Sequence, residues 1–207
     1  MGEKRVSEEM LVCMKRYWGY TRFRPWQEDT IFAILDGRDS MAVLPTGGGK
    51  SLCFQLPALL KEGMAVVISP LISLMKDQVD GLKDMGINAE YLNSSLQAEE
   101  QKAVIARIRE RQVKLLYISP ERLRTEWTAN LLKSVPLLFF VIDEAHCISH
   151  WGHDFREDYR GLGIIKEKFS SVNIHAFTAT ATKEVQADIL GQLKLNNPHI
   201  NIASVDR

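Results

Sequence analysis

Thr46-Gly47-Gly48-Gly49-Lys50-Ser51 packs three glycines, a lysine and a hydroxyl into six residues. Glycines let backbone N–H groups converge on phosphate oxygens without interference from Cβ atoms. A helix starting near Lys50 would add its positive dipole end. In that setting Lys50 can reach the β- and γ-phosphates of a nucleotide, and Ser51 can ligate Mg²⁺. The strict form of this loop has glycine at position 44, where this chain has Leu44. A glycine-rich turn that merely precedes a helix is the alternative.

A second group, Asp143-Glu144-Ala145-His146, follows the apolar run Leu137–Ile142. An aspartate at the end of a buried strand can hold Mg²⁺ through its water shell. The adjacent glutamate can orient and deprotonate an attacking water. Two carboxylates are needed because metal holding and water activation are separate tasks. The expectation is that this strand neighbours the one feeding the glycine loop. Helix capping by Asp143 is the plainer alternative.

The third group is aromatic and basic: His146, Cys147, His150, Trp151, His153, Asp154, Phe155, Arg156 and Tyr159. Its His-x-x-x-His-x-x-His spacing with one cysteine matches no common zinc pattern. Aromatic faces with an arginine suit single-stranded nucleic acid, where bases stack and guanidinium meets phosphate. Core packing of Trp151 and Phe155 on a local helix stays open. Gln101–Arg124, with seven basic and two acidic residues, could form a phosphate-facing patch or a solvated helix face.

Elements that alternate between two periodicities must position these groups. Strand candidates are Ser40–Leu44, Ala65–Ser69, Ala89–Leu92, Val113–Ile118, Leu137–Ile142, Ile174–Thr178 and Asn201–Ser204. Several are unbroken apolar runs, the mark of strands covered on both faces. Helix candidates are Trp26–Leu35, Lys50–Leu60, Leu71–Met85, Ala98–Arg109 and Lys183–Leu193, with apolar residues three and four apart. The β-α-β-α order predicts an α/β, three-layer, mostly parallel doubly wound sheet with helices on both faces. Residues 1–38 read as a helical lead-in packed on the sheet, and 39–207 as the nucleotide-binding unit.

The chain has 207 residues, enough for one α/β domain. Its 26 basic and 26 acidic residues cancel, so nucleic-acid contact would need local patches. Cys13, Cys53 and Cys147 form no disulfide framework, which suits a reducing compartment. No secretion signal or membrane span is read, so a cytoplasmic or nuclear location without membrane partners is expected.

These motifs occur in the order found in superfamily-two helicases. The glycine loop is followed by Ser69–Gln78, Ser119-Pro120-Glu121-Arg122-Leu123, Asp143–His146 and Thr178-Ala179-Thr180-Ala181. Leu44 matches the relaxed helicase form of the loop. Tyr17–Tyr20 with Phe23–Gln27, and Cys147–Arg156, resemble the adenine-reading motif and aromatic-rich loop of RecQ-family DNA helicases. The resemblance runs from about Tyr17 to Arg207 and implies a RecA-like P-loop NTPase fold that uses ATP and Mg²⁺. It implies that Gln27 reads adenine with Tyr20 and Arg24 against the ring, and that Thr46 to Ser51 hold the phosphates. His146, Thr178 and Thr180 would couple nucleotide state to DNA. Trp151, Phe155 and Arg156 would sense single-stranded DNA, while Ser69, Lys76, Gln78 and Arg122 would touch its backbone. It further implies a monomer acting 3′ to 5′ on single-stranded and forked DNA, with a second RecA-like domain that is not read in this chain. An RNA helicase of the DEAD or DEAH type and a non-catalytic nucleotide-dependent scaffold are the competing readings.

Overall fold

The computed structural model describes residues 6–47 and 49–203. Its seven strands form one sheet in which every pairing is parallel. They are β1 (Ser40–Val43), β2 (Met64–Ile68), β3 (Ala89–Leu92), β4 (Leu115–Ile118), β5 (Leu137–Ile142), β6 (Asn173–Thr178) and β7 (His199–Ile202). The spatial order is β3-β4-β2-β5-β6-β1-β7. All seven expected strands form, β3 and β5 with the expected bounds and the others with ends shifted by one or two residues. The last one closes at Ile202, and Ser204 lies outside the described residues.

The helices are α1 (Glu8–Trp18), α2 (Pro25–Leu35), α3 (Lys50–Leu60), α4 (Ile72–Asp84), α5 (Ala98–Arg109), α6 (Pro120–Leu123), α7 (Glu126–Lys133), α8 (Glu157–Arg160), α9 (Ile164–Lys168) and α10 (Lys183–Gln192). The lead-in resolves into α1 and α2. Ser7 Oγ accepts the Met10 N–H at 3.2 Å and starts α1, and Gly19 ends it at φ 72°. Both helices pack on α3.

The apolar runs divide residue by residue between two cores, because successive strand side chains point to opposite faces. From β2, Met64, Val66 and Ile68 join one core while Ala65 and Val67 join the other. From β5, Phe140 and Ile142 face the first core, and Phe139 and Val141 the second. α5, α7 and α10 cover the first, while α1 to α4 cover the second. The result is a helix–sheet–helix sandwich of three layers. Among the described residues, no helix is long and apolar enough to cross a membrane.

Asp39 ties the lower ends of three strands together. Its carboxylate accepts the Ile174 and Asn196 N–H groups at 2.9 and 2.8 Å, the Asn173 amide at 3.2 Å and the Lys166 ammonium. The Asp39 carbonyl accepts the His199 N–H at 2.8 Å. One residue, through its carboxylate and its carbonyl, thereby sets the starts of β1, β6 and β7 and anchors α9.

Two sequence expectations change in space. The strand carrying Asp143 is not adjacent to the strand feeding the glycine loop, because β6 lies between β5 and β1. The basic run Gln101–Arg124 also does not form one patch. β4 carries the chain across the sheet, so Arg107, Arg111 and Lys114 line a cavity at the starts of the strands, while Arg122 and Arg124 lie beyond the carboxyl end.

Candidate active site

The carboxyl ends of parallel strands are where ligands gather in such sheets. The loops after β1, β5 and β6 meet there. Arg24 Nη1 donates to the Gly47 carbonyl at 3.1 Å, Lys50 Nζ to the Leu44 carbonyl at 3.4 Å and Gln27 Nε2 to the Gly49 carbonyl at 3.4 Å. Gln27 Oε1 accepts the Arg24 N–H at 2.9 Å. Both halves of the Gln27 amide are thus engaged with the start of α2 and the glycine loop, so it must turn to meet a base edge. Tyr20, expected beside the same base, is 56% exposed. Thr46 and Gly47 are exposed, Ser51 is half-buried at the start of α3, and Gly48 lies outside the described residues.

Gly49 is the N-cap of α3 at φ 75°, in the left-handed region. A Cβ there would also run into the Gln27 amide. Gly49→Ala is expected to cost about 1–2 kcal/mol from backbone strain and to push Gln27 off the loop. Thermal denaturation and fluorescent-nucleotide binding would measure both effects. Unchanged values in both would refute the role.

Asp143 is buried at the end of β5, with its backbone N–H bonded to the Ile68 carbonyl at 2.9 Å. Burial pushes its carboxyl up to about 6, and the Glu144 charge adds to this. The Glu144 N–H, the Lys50 charge and the Gln78 amide work in the opposite direction. A divalent cation here must displace a proton below pH about 6. Its affinity should therefore fall by up to about tenfold per pH unit below that point, as Mg²⁺ titrations at pH 5 and 7 would show. A flat profile would remove Asp143 from the metal site.

Glu144 sits at φ 49°, unusual for a residue with a side chain. That turn aims its carboxylate back at His146, whose Nδ1 lies 3.3 Å from Glu144 Oε2 and 2.8 Å from Thr178 Oγ1. The Thr178 hydroxyl donates to the Thr180 carbonyl at 3.0 Å, which assigns the Nδ1 proton to His146. Burial lowers the His146 pKa and keeps the ring neutral. The insertion of β6 between β5 and β1 is what places Thr178 within reach.

The aromatic loop begins where this chain of bonds ends. His146 and Cys147 belong to a 3₁₀ turn, Ala145–Ile148, and the Cys147 carbonyl accepts the Arg156 N–H at 2.9 Å. Arg156 Nη1 donates to the Pro70 carbonyl at 3.2 Å and Nη2 to Asp154 Oδ2 at 3.2 Å, so the loop is tied to the segment leading into α4. Phe155 stacks on His150, with ring centroids 3.7 Å apart. Trp151 is 76% exposed, which excludes its core reading. Gly152 is required because a Cβ would strike the His146 carbonyl.

Residues expected along the nucleic-acid backbone lie on the same rim with different access. Lys76 is exposed and Gln78 half-buried on α4. Ser69 is fully buried, so its hydroxyl does not reach the surface. Arg122 bonds Gln101 Oε1 at 3.1 Å and lies over the Trp127 ring. Buried polar atoms of Ser69, Gln78, Ser119 and Arg122 have no hydrogen-bond partner in the structure. Tyr159, grouped in the sequence with the aromatic loop, is instead fully buried, and its hydroxyl donates to the Asp143 carbonyl at 2.9 Å, a contact that sequence reading missed. Also missed was the Gln78 amide as a partner of the Asp143 carboxylate. α8, which carries Tyr159, is a single turn and offers no periodicity to read.

Residues 24–188 match the family model described as DEAD/DEAH box helicase. The chain is 50% identical, over 95% of its length, to a protein named ATP-dependent DNA helicase RecQ from Haemophilus influenzae. It is 51% identical, over 98% of its length, to one of the same name from Pasteurella multocida. It spans about a third of each relative, 32% in both cases. The solved DEAD-box helicase Mss116, bound to ssRNA, superposes with a TM-score of 0.75 at 21% identity, covering 99% of this chain and 44% of that one. At that identity the likeness shows the fold, a RecA-like α/β sandwich. The glycine loop, the buried Asp143 with its adjacent glutamate, and the family match over most of the length place this chain in the DEAD/DEAH box helicase family.

Proposed function

We propose that this chain is the nucleotide-binding half of an ATP-driven motor on single-stranded DNA, working 3′ to 5′ and opening forked duplexes. The observation that carries the proposal is the unbroken bonding from Glu144 through His146 to Thr178 and Thr180, with the aromatic loop starting at the next residue, Cys147. Hydrolysis and strand sensing would share one short segment, which is what coupling requires. The similarity to proteins named RecQ DNA helicases supports DNA over RNA.

In this reading Lys50 and the glycine loop bind the β- and γ-phosphates, which first requires Lys50, Arg24 and Gln27 to release the loop carbonyls they now occupy. Ser51 and Asp143 would hold Mg²⁺, and the donor set fits: a hydroxyl beside the loop and a buried carboxylate hydrogen-bonded on both sides. When bound, the ion would neutralise charge developing on the phosphates. Glu144 takes the proton of the attacking water, and His146, neutral and held by Thr178, registers that change. Trp151, 76% exposed, stacks a base. Arg156 relays strand contact to Pro70 and α4, and Lys76, Gln78 and Arg122 track the backbone.

A second RecA-like domain would complete the site with arginine fingers, which supply roughly 10³–10⁵ in rate. The isolated 207-residue chain should therefore bind ATP weakly and turn it over poorly. The test is the ATPase of a longer protein carrying this domain, titrated with single-stranded DNA and with RNA of equal length. DNA should stimulate turnover more strongly, and Trp151→Ala should abolish the stimulation. Stronger activation by RNA would establish the RNA-helicase reading instead.

A further inference from the structure

The coupling histidine, its neighbour Cys147 and Asp154, seven residues further on, bring three ligating side chains together. His146 Nε2 lies 3.8 Å from Cys147 Sγ, and Cys147 Sγ lies 3.9 Å from Asp154 Oδ2. All three ligand atoms fall within 4.8 Å of one another. Ligand atoms on a tetrahedral zinc ion, with bonds of ~2.0–2.3 Å, sit roughly 3.3–3.7 Å apart. The cysteine pairs are therefore within a few tenths of an ångström of coordination distance, and the remaining pair within roughly 1.5 Å. We propose that His146, Cys147 and Asp154 form a binding site for a soft divalent cation of the zinc class, separate from the Mg²⁺ position at Ser51 and Asp143.

Two further features of the cluster support this. Metal-binding histidines generally donate their other ring N–H to a carboxylate or hydroxyl, which fixes the tautomer and raises the basicity of the ligating nitrogen. His146 has that arrangement. Its Nδ1 proton is held by Thr178 Oγ1 at 2.8 Å with Glu144 Oε2 at 3.3 Å, leaving the Nε2 lone pair facing the cysteine. Access is also one-sided. His146 and Cys147 are buried, whereas Asp154 is exposed, so an ion enters past the carboxylate and keeps its fourth position for water.

Burial keeps His146 neutral and pushes the Cys147 thiol up to about 12, with the Asp154 charge adding to the latter. The free thiol is therefore protonated and inert, and binding must release one proton from it. Thiolate and carboxylate together balance the 2+ charge. Mg²⁺ is a poor occupant, because it prefers octahedral oxygen donors. Binding also competes with Arg156, which holds Asp154 Oδ2 from Nε and Nη2 at 3.4 and 3.2 Å. An ion here would fasten the aromatic loop to the coupling histidine. If the proposed function holds, zinc would then slow DNA-stimulated turnover, but occupation of the site does not depend on that.

The probe is Co²⁺, titrated into the 207-residue chain under reducing conditions and followed by absorption. One equivalent should bind, with a thiolate-to-cobalt charge-transfer band and the visible bands of tetrahedral cobalt. Zn²⁺ should displace it, and excess Mg²⁺ should not. Cys147→Ser should remove the charge-transfer band, since Cys53 is fully buried and Cys13 belongs to no such cluster among the described residues. Asp154→Asn, at an exposed position, should weaken binding by roughly tenfold or more and decides the matter if Cys147→Ser does not fold. Absence of a charge-transfer band in the unmodified chain, its persistence in Cys147→Ser, or unchanged affinity in Asp154→Asn would each overturn the site.

Discussion

Glu144→Gln, in a protein that carries this domain with its second half, should leave ATP binding intact and lower turnover by roughly a hundred- to ten-thousandfold. That range is what a positioned general base contributes. Glutamine keeps the shape and the acceptor oxygen that faces His146 Nδ1 at 3.3 Å, so the unusual backbone at φ 49° and the bond to Thr178 should survive. What it lacks is a lone pair basic enough to take the proton of water. The variant should therefore trap nucleotide and nucleic acid together. Steady-state hydrolysis and equilibrium nucleotide binding separate the two effects. Turnover within tenfold of the unmodified protein would move the base to another residue. Loss of binding would show instead that Glu144 supports the loop.

Asp39→Ala should be the most destabilising single change away from the active site, at about 3–5 kcal/mol, the range for breaking a buried ion pair from one side. That is a large part of the ~5–15 kcal/mol that holds an ordinary domain together. The substitution strands the Lys166 ammonium and leaves the N–H groups of Ile174 and Asn196 without their acceptor. Burial alone would raise the Asp39 pKa. The Asn196 N–H, Lys166, the Ile174 N–H and Asn173 outweigh it, and the net value is lowered. An acid with a lowered folded-state pKa stabilises fully above its ordinary value of 3.8 and loses that contribution as pH falls. Nearby His175 acts in the same direction for a different reason. It is fully buried, with Nδ1 2.9 Å from Ser40 Oγ, and burial takes its pKa from 6.5 to about 3. The unfolded chain binds that proton first, so stability falls as pH drops from 6.5 toward 3. Asp143, raised from 3.8 to about 6, opposes this inside its window because the folded chain holds the extra proton. Asp143→Asn should therefore steepen the acid loss between those values by up to ~1.4 kcal/mol per pH unit. Urea unfolding at pH 4, 5 and 7 tests both variants. An Asp39→Ala midpoint indistinguishable from that of the unmodified chain would refute the hub.

The local elements and the types of chemistry were legible in the order of residues. Runs such as Leu137–Ile142 can only be strands covered on both faces, and the structure splits that run between two cores. Lys50–Leu60 was delimited to the residue because glycines end where the helix begins. The short helices α6, α8 and α9 were not, since four or five residues complete barely one turn and carry no period. The basic run from Gln101 to Arg124 misled because charge counted along the chain ignores that a strand crosses the sheet.

By itself the sequence determined that a glycine loop and a paired acidic motif follow buried parallel strands, with an aromatic stretch directly after the second, because periodicity and glycine placement are local properties. Only the tertiary structure decided what touches what. It put β6 between the two motif strands, and that insertion brings Thr178 to His146. It turned Gln27 onto Gly49, closed Asp39 around three strand starts, and drew Cys147 and Asp154 toward the far side of the His146 ring. Apart from the one between neighbours His146 and Cys147, these are contacts between residues 7 to 157 positions apart, set by strand order and loop closure. No spacing along the chain encodes them.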